Sequence, residues 1–548
     1  MFVSRYQFLT VLLAGSIFVS GGLFSQKSIA AETGSASSSQ NSPAQTIQAV
    51  NSSAKTAPVS TETVIKTNAP LTPIHITLLH VNDVYQLSPS GNPKLGGLAR
   101  LATLIKAAKK ENPNTLFVFS GDTISPSLAS HVFRGKQMID LWNQLGVSVA
   151  VLGNHEFDYG DDVLKQRISE SKFPWLAANV LDKKTGIPID GLPAYVIKDL
   201  SGIKLGFLGL LTVDTQASSH PGPDVLFADP VETTDKALPE IKKAGADLVI
   251  GLTHLAMSED QRVARLHPTQ IALILGGHEH TLLQSVAGGT PILKMDSDAA
   301  KMSTVDLYVD PQAHTLEHID WKVVPVDSSV AEDPDIAANV ARYEDQLTRS
   351  MGEVVGSTAV LLDAAQNKVR TEETVLGDFL ADSLRKIGKT DIALLNAGGI
   401  RSNTQYPAGQ LTLKDVVSWL PFENRVVRSS LTGLAIKAAL ENGVSGIQDD
   451  NEPGSFPVVS GLKFTYDARL PIGQRVTQVS INGSPLKADK TYSLTTTDYL
   501  IQGKDGYVML KRPFRVIPGT DSELIARLIK QEKTISPLLD GRIKRVTQ

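Results

Sequence analysis

The sequence predicts an α/β protein in two unequal parts: layered β-sheets flanked by helices first, then a smaller α/β domain. Three observations predict it. The chain has 548 residues, too many for a single hydrophobic core. From Ile74 onward, runs rich in Val, Ile and Leu alternate with helical patterns, as in sheets covered on both faces. All eleven histidines lie between His75 and His318, so the two parts carry different chemistry.

The first 31 residues read as a targeting segment. Arg5 supplies a positive start, Phe8 to Phe24 (FLTVLLAGSIFVSGGLF) an apolar stretch, and SIA and IAA offer cleavage after Ala30 or Ala31. Glu32 to Ala69 is Ser, Thr, Ala, Gln and Asn with few large apolar residues. Such a composition buries no core, so 32–72 reads as a disordered spacer. No other stretch is apolar enough to span a bilayer. The expectation is a periplasmic or secreted protein with no stable membrane anchor after cleavage.

The first domain is expected over 73–330. Its strands are IHITLLHV (Ile74–Val81), TLFVFS (Thr115–Ser120), VSVAVLG (Val147–Gly153), KLGFLGLL (Lys204–Leu211), DLVIGLT (Asp247–Thr253) and ALILGG (Ala272–Gly277). Leu98–Asn112 and Thr233–Ala246 read as helices between them, and STVDLYVD and LEHIDWKVVPV as strands closing an antiparallel edge. Glu332–Gly356 has helical periodicity, opening after Asp333 and Pro334 and closing at Gly352. It reads as an inter-domain helix and hinge over 331–356, with the hinge around Ser350–Gly356. The second αβ domain then runs over 357–545.

Composition excludes several classes. With 42% hydrophobic and 20% charged residues, the chain is of ordinary globular make-up. A net charge of −4 and no long basic run disfavour a nucleic-acid polymer as partner. Cysteine is absent, which excludes disulfides, Cys-based zinc sites, a thiol nucleophile and a lipid anchor on Cys. Nothing in the sequence fixes the oligomeric state.

The chemistry concentrates at strand ends. Asp83 follows the first strand in HVNDVY, Asp122 the second in FSGDTISPS, and Asn154 and His155 the third in LGNHEFD. His254 follows DLVIGLT, and His278 and His280 follow ALILGG in GGHEH. Read alone, VLGNHEFDYG (Val151–Gly160) fits a polar turn equally well. Five strands that each end in a ligand-type residue fit a site, because α/β sites form at the carboxyl ends of strands. Gly121, Gly153, Gly276 and Gly277 are expected to let the backbone turn tightly there. Carboxylates, an amide and imidazoles suit Zn, Mn, Fe or Co rather than Ca. They outnumber the ligands one ion needs, so two divalent ions roughly 3.5–4 Å apart, bridged by a carboxylate, fit better. His75, His80, His131, His220, His267, His314 and His318 match no motif and read as structural.

The series ND, GD, GNHEFD, THL, GGHEH resembles the calcineurin-like metallophosphoesterases. More narrowly, the chain is similar to the exported bacterial 5′-nucleotidase, UDP-sugar hydrolase and 2′,3′-cyclic phosphodiesterase family. The resemblance covers nearly everything from Ile74 onward. It implies that Asp122 bridges two metals, that Asp83 and His280 bind the first, and that Asn154, His254 and His278 bind the second. It implies that His155 is not a ligand but faces the phosphate, oriented by Asp158. Glu156 reads as structural.

In the second half, LLNAGGIRSN (Leu394–Asn403) puts glycines beside Arg401, which suits an anionic ligand. LPFENRVV (Leu420–Val427) and DYLIQGKDGYV (Asp498–Val508) each place an aromatic in a polar loop. The resemblance implies that Phe422 and Tyr499 stack on a nucleobase and that Asp505 accepts from ribose hydroxyls. It further implies that Arg370, Asn396, Arg401 and Asn424 surround phosphate or ribose, and that the domains rotate. The expected function is release of phosphate from 5′-nucleotides by a dimetal-activated water, with a small nucleotide as the partner. Hydrolysis of cyclic nucleotides or UDP-sugars, thiosulfohydrolysis and a nucleotide-binding protein with a weakened metal site are the alternatives. Two positions depart from the family: Tyr499 stands where Phe is usual, and Tyr85 where an Asp-x-His motif would place a metal-binding His.

Overall fold

A computed structural model describes residues 72–91, 93–447 and 452–546. The leader, and the spacer up to residue 71, lie outside the described residues. No described helix is long and apolar enough to cross a membrane.

Two six-stranded sheets form the first part. In one, Ile74–Val81 pairs in parallel with Thr115–Phe119, which pairs in parallel with Val149–Val151; Trp175–Leu176 ends that side. On the other side Lys301–Val309 and Leu316–Pro325 add antiparallel, as the alternating edge segments predict. The second sheet runs Leu283–Ala287, Thr290–Lys294, Leu273–Gly276, Leu248–His254, Ile203–Leu211, Tyr195–Leu200.

The two sheets pack face to face. Ile76, Leu78, Val118, Val149 and Val151 of the first meet Leu205, Phe207, Ile250, Leu252 and Leu275 of the second in one buried cluster. Each sheet therefore has a sheet on one face and helices on the other. An apolar run shows that both faces of a strand are covered, but not by what. The candidate ligands accordingly come from two sheets: those after Val81, Phe119 and Val151 from one, and His254 at a strand's last position with those after Gly276 from the other.

Helices Leu98–Glu111 and Lys136–Leu145 cover the first sheet. Pro230–Lys243 and Met257–Leu266 cover the second. Helix Pro334–Met351 starts where expected. Asp333 accepts from the Ile336 N–H at 3.2 Å and Pro334 occupies the first turn, where a missing N–H costs nothing. Its buried Ile336, Val340, Tyr343 and Leu347 recur at helical spacing and join the helical core of the first part. Strand Val354–Thr358 follows after Gly352 and Glu353.

The second part has its own core around a five-stranded sheet ordered Pro457–Ser460, Ile392–Asn396, Thr491–Thr497, Arg425–Thr432, Arg515–Thr520. Helix Val375–Gly388, capped by Thr374, buries Leu376, Leu380 and Leu384 against it.

Candidate active site

Four residues at the strand ends adopt left-handed backbone: Asp83 at φ 53°, Asp122 at 68°, His278 at 91° and His280 at 61°. Non-glycine residues hold that conformation only where the surroundings enforce it, and such residues cluster at functional sites. Of the four expected turn glycines only Gly121 has a positive φ, at 81°; Gly276 ends a strand, and the other two serve a different need. Gly153 and Gly277 have no positive φ, but a Cβ on Gly153 would lie 2.1 Å from Asp122 Oδ1, and one on Gly277 2.6 Å from the Ser120 carbonyl. They admit close approach rather than a turn.

Asp83, Asp122 and His280, all buried, bring ligand atoms within 4.8 Å of one another. His280 Nε2 lies 3.1 Å from Asp83 Oδ1. His254 is fully buried, and its Nδ1 donates to the Ser120 carbonyl at 2.7 Å. That leaves Nε2 without a hydrogen-bond partner, 3.3 Å from Asp122 Oδ2 and 3.9 Å from Asp83 Oδ1. A nitrogen lone pair facing two carboxylates in a buried site needs a cation between them, a proton or a metal ion. The donor set of carboxylates, imidazoles and an amide fits a borderline divalent metal. Burial opposes ionisation of Asp83, but His254 and His280 outweigh it and hold its carboxyl below the usual range. Asp122 is likewise held low, by His254 and His155 against burial.

His278 donates its backbone N–H to Asp83 Oδ2 at 2.8 Å, and its ring Nδ1 lies 3.2 Å from Asn154 Oδ1. His155 donates its backbone N–H to Asp122 Oδ1 at 2.8 Å, while its ring Nδ1 meets Asp158 Oδ2 at 2.8 Å. Asp158 Oδ1 accepts in turn from the Ser219 hydroxyl at 2.6 Å. Glu156 points away from the cluster. Its carboxylate accepts from the backbone N–H of Gly153 at 2.6 Å, Thr123 at 2.7 Å, Asp122 at 3.0 Å and Ile124 at 3.4 Å. Burial, with Asp122 nearby, pushes its pKa up to about 7. Glu156→Ala leaves four buried donors without this partner, at about 1–3 kcal/mol for each left unpaired. Loss of several kcal/mol of unfolding free energy in denaturant titration is the expected outcome.

Tyr85 crosses the cluster. Its hydroxyl donates to Asp122 Oδ2 at 2.9 Å and lies 3.0 Å from His280 Nε2 and 3.3 Å from Asp83 Oδ1. Burial and the Asp122 and Asp83 carboxylates raise its pKa well above the ordinary value. The Arg401 guanidinium lies 4.9 Å from the Tyr85 ring centre and 5.8 Å from that of Phe422.

One cavity of about 590 Å³ joins the two halves. Asp122, Asn154, His155, Asp158, His278 and His280 line it from one side, and Arg370, Asn396, Arg401, Phe422, Asn424, Tyr499 and Asp505 from the other. The ring centres of Phe422 and His155 are 5.9 Å apart. Asp505 accepts from the Asn396 amide at 2.7 Å and from the Tyr499 hydroxyl at 2.6 Å. Asp83 and His254 lie behind the cavity wall, both fully buried.

Sequence reading missed several residues here. His220, read as structural, lines the cavity, its ring centre 6.4 Å from that of Tyr499. His80 is structural as read: buried, hydrogen-bonded to Ser120 at 2.9 Å and Ser303 at 3.3 Å, and pushed down to about 3 by burial. Lys294 was overlooked. Its buried ammonium reaches Glu279 at 2.6 Å, Asp260 at 2.9 Å, the Gly277 carbonyl at 3.0 Å and the Leu255 carbonyl. It thereby ties together the loops carrying His254, His278 and His280. A lone lysine in the apolar run TPILKM was the available signal, because a buried charge must find partners. Across the seam, Glu423 pairs with Arg134 at 3.0 Å and His131 at 3.2 Å. Lys504 caps the carbonyls of Gln216 at 2.8 Å and Ser219 at 2.9 Å.

Sheet order, strand-end cluster and shared cavity together are those of a metal-dependent phosphoesterase. The calcineurin-like phosphoesterase family model matches residues 76–282, and the 5′-nucleotidase C-terminal domain model matches 354–512. The chain belongs to the family that joins these two domains, and it is a phosphoric ester hydrolase. It is 29% identical over 527 residues to the trifunctional nucleotide phosphoesterase protein YfkN of Bacillus subtilis (strain 168), covering 86% of this chain but only 35% of that one. It is 26% identical to 5′-nucleotidase of Homo sapiens, across 86% of this chain and 90% of that one. The crystal structure of the 5′-nucleotidase precursor from Thermus thermophilus superimposes with a TM-score of 0.78 at 29% identity, over 87% of this chain and 100% of that one.

Proposed function

We propose that this chain is an exported nucleotide phosphohydrolase that releases phosphate from 5′-nucleotides. One observation carries the reading: a single cavity is lined both by the Asp–Asn–His cluster and by cationic, aromatic and amide groups of the other half. A phosphate at the cluster and a base held by the other half fit that arrangement. We assign the first part, 73–330, to the reaction and the second, 357–545, to substrate binding, with the hinge in 331–356.

In this reading Asp83, Asp122 and His280 hold one divalent ion, and Asn154, His254 and His278, with Asp122 shared, hold the other. Bound there, the pair supplies an activated water and neutralises phosphoryl charge. The remaining steps belong to side chains. Asp158 holds His155 Nδ1, which turns Nε2 to the phosphate, where it hydrogen-bonds the phosphoryl group or protonates the leaving oxygen. Arg370 and Arg401 bind phosphate oxygens. Phe422 and Tyr499 flank the base, Asp505 accepts from ribose hydroxyls, and Asn396 and Asn424 complete the polar wall. Tyr499 and Asn396 hold Asp505 ready for that task.

The test is phosphate release from AMP, UDP-glucose, 2′,3′-cyclic AMP and bis(p-nitrophenyl) phosphate, with and without chelator. AMP turnover that chelator abolishes is expected. A metal-loaded chain that binds AMP without turning it over would instead be a binding protein. Phe422→Ala and Tyr499→Ala should each weaken nucleotide use by about 1–3 kcal/mol, the range for one stacked face, and spare a small aryl phosphate. Tyr499→Phe keeps the stacking face and separates it from the Asp505 hydrogen bond. Equal losses on both substrates would point to misfolding. Export is checked by sequencing the mature amino terminus, expected at Ala31 or Glu32.

A further inference from the structure

We propose that the C-terminal half sets the metal affinity of the Asp83–Asp122–His280 cluster, with Gln366 acting as a positioning residue on His280. The proposal rests on the metal-dependent reading above.

His280 offers Nε2 to the cluster, and its other ring nitrogen, Nδ1, lies 3.3 Å from Gln366 Oε1. Gln366 belongs to the short helix Gln366–Val369 of the second half. A ligand imidazole needs an acceptor on its far nitrogen, because that bond fixes both the tautomer and the ring plane. His254 finds such a partner at home, in the Ser120 carbonyl. His280 takes its partner from across the seam. Its backbone lies outside any strand, in left-handed conformation, so the ring depends the more on that bond.

Gln366 is itself oriented. Its amide nitrogen donates to Glu452 Oε2 at 3.1 Å, which turns the amide oxygen toward His280. Its backbone N–H donates to Asn403 Oδ1 at 3.0 Å, and the Asn403 carbonyl accepts from the Gly91 N–H of the first half at 3.1 Å. The Glu452 carbonyl accepts from Arg370 at 3.3 Å. Glu452 thus holds Arg370, in the cavity, through its carbonyl and Gln366 through its carboxylate.

The experiment is calorimetric titration of the metal-stripped full chain with Mn²⁺ alone. Gln366→Met keeps the length of the side chain and removes the acceptor. It is expected to weaken one of two ions by about 10–100-fold, the usual effect of removing an outer-shell partner, and to leave the other unchanged. The double variant Gln366→Glu/Glu452→Gln returns an acceptor to His280 and a donor to the neighbouring position, and should restore the lost affinity. Two ions bound by Gln366→Met as in wild type would overturn the proposal and leave the phosphohydrolase reading standing. Equal weakening of both ions without rescue by the double variant would overturn it as well, by marking Gln366 as a general structural residue. A wild type that binds no ion would overturn both readings.

Discussion

His155→Ala lowers kcat by about 10²–10⁴-fold, the range for a positioned acid–base group, and leaves the metal content of the chain unchanged. The two halves of that expectation have separate grounds. His155 touches Asp122 through its backbone N–H, which alanine supplies equally well, so the carboxylate between the two ligand sets keeps its partner. The ring itself faces the cavity, anchored on Asp158 through Nδ1. Alanine removes the proton donor and nothing else of the cluster. Asp158→Asn should fall between wild type and His155→Ala, because an amide still reaches Nδ1 but no longer stabilises a charged ring. The measurement is steady-state turnover of AMP beside metal analysis of the same preparations. Loss of an ion on His155→Ala would make the ring a ligand and sink this assignment.

Tyr85→His is expected to tighten the ion at the Asp83–Asp122–His280 cluster by at least the ten- to hundredfold typical of outer-shell changes. In the present chain a neutral phenol lies among the three side chains proposed as ligands, within hydrogen-bond distance of each. A phenol is a poor ligand, whereas an imidazole in the same place contributes a lone pair. Activity of Tyr85→His should therefore depend less on added Mn²⁺ or Zn²⁺, and the protein should keep more metal through dialysis. If the wild type already retains two ions per chain and Tyr85→His changes neither quantity, the phenol is no weakness in the site. Arg401 is the complication to control, since its guanidinium packs on the Tyr85 ring. Parallel measurement of the AMP KM separates loss of that packing from the gain in metal binding.

Much of the fold was legible because strand-end chemistry and apolar runs are local signals. Ile74–Val81 has the bounds expected of it, and the helix after Asp333 begins at its cap. The division of the strands between two sheets was not legible, since an apolar strand reads the same under a sheet or under a helix. The same limit applies to the site. Asp83, Asp122, Asn154, His254, His278 and His280 each follow a strand and stand out in the sequence. Lys294, Gln366, Glu423 and Lys504 matter through partners remote in the chain, such as Gln366 with His280 or Lys504 with Ser219. No window of sequence contains both members of those pairs. His220 reads as structural in the sequence for a related reason: it follows a four-residue helix, Thr215–Ser218, with no motif around it.

The pairing of Glu423 with Arg134 and His131 has a consequence for how this enzyme's preferences can change. Glu423 sits between Phe422 and Asn424, two residues that line the cavity, yet the Arg134 guanidinium and His131 imidazole that hold it belong to the opposite half and lie outside the cavity lining. The aromatic wall is thus set partly by residues that never meet a substrate. In the proposed reading, a substitution at Arg134 shifts the loop that carries Phe422 while every residue assigned to the nucleotide stays the same. The discrimination among bases proposed for this cavity is then adjustable from outside it, by changes that a search confined to substrate-contacting positions would pass over.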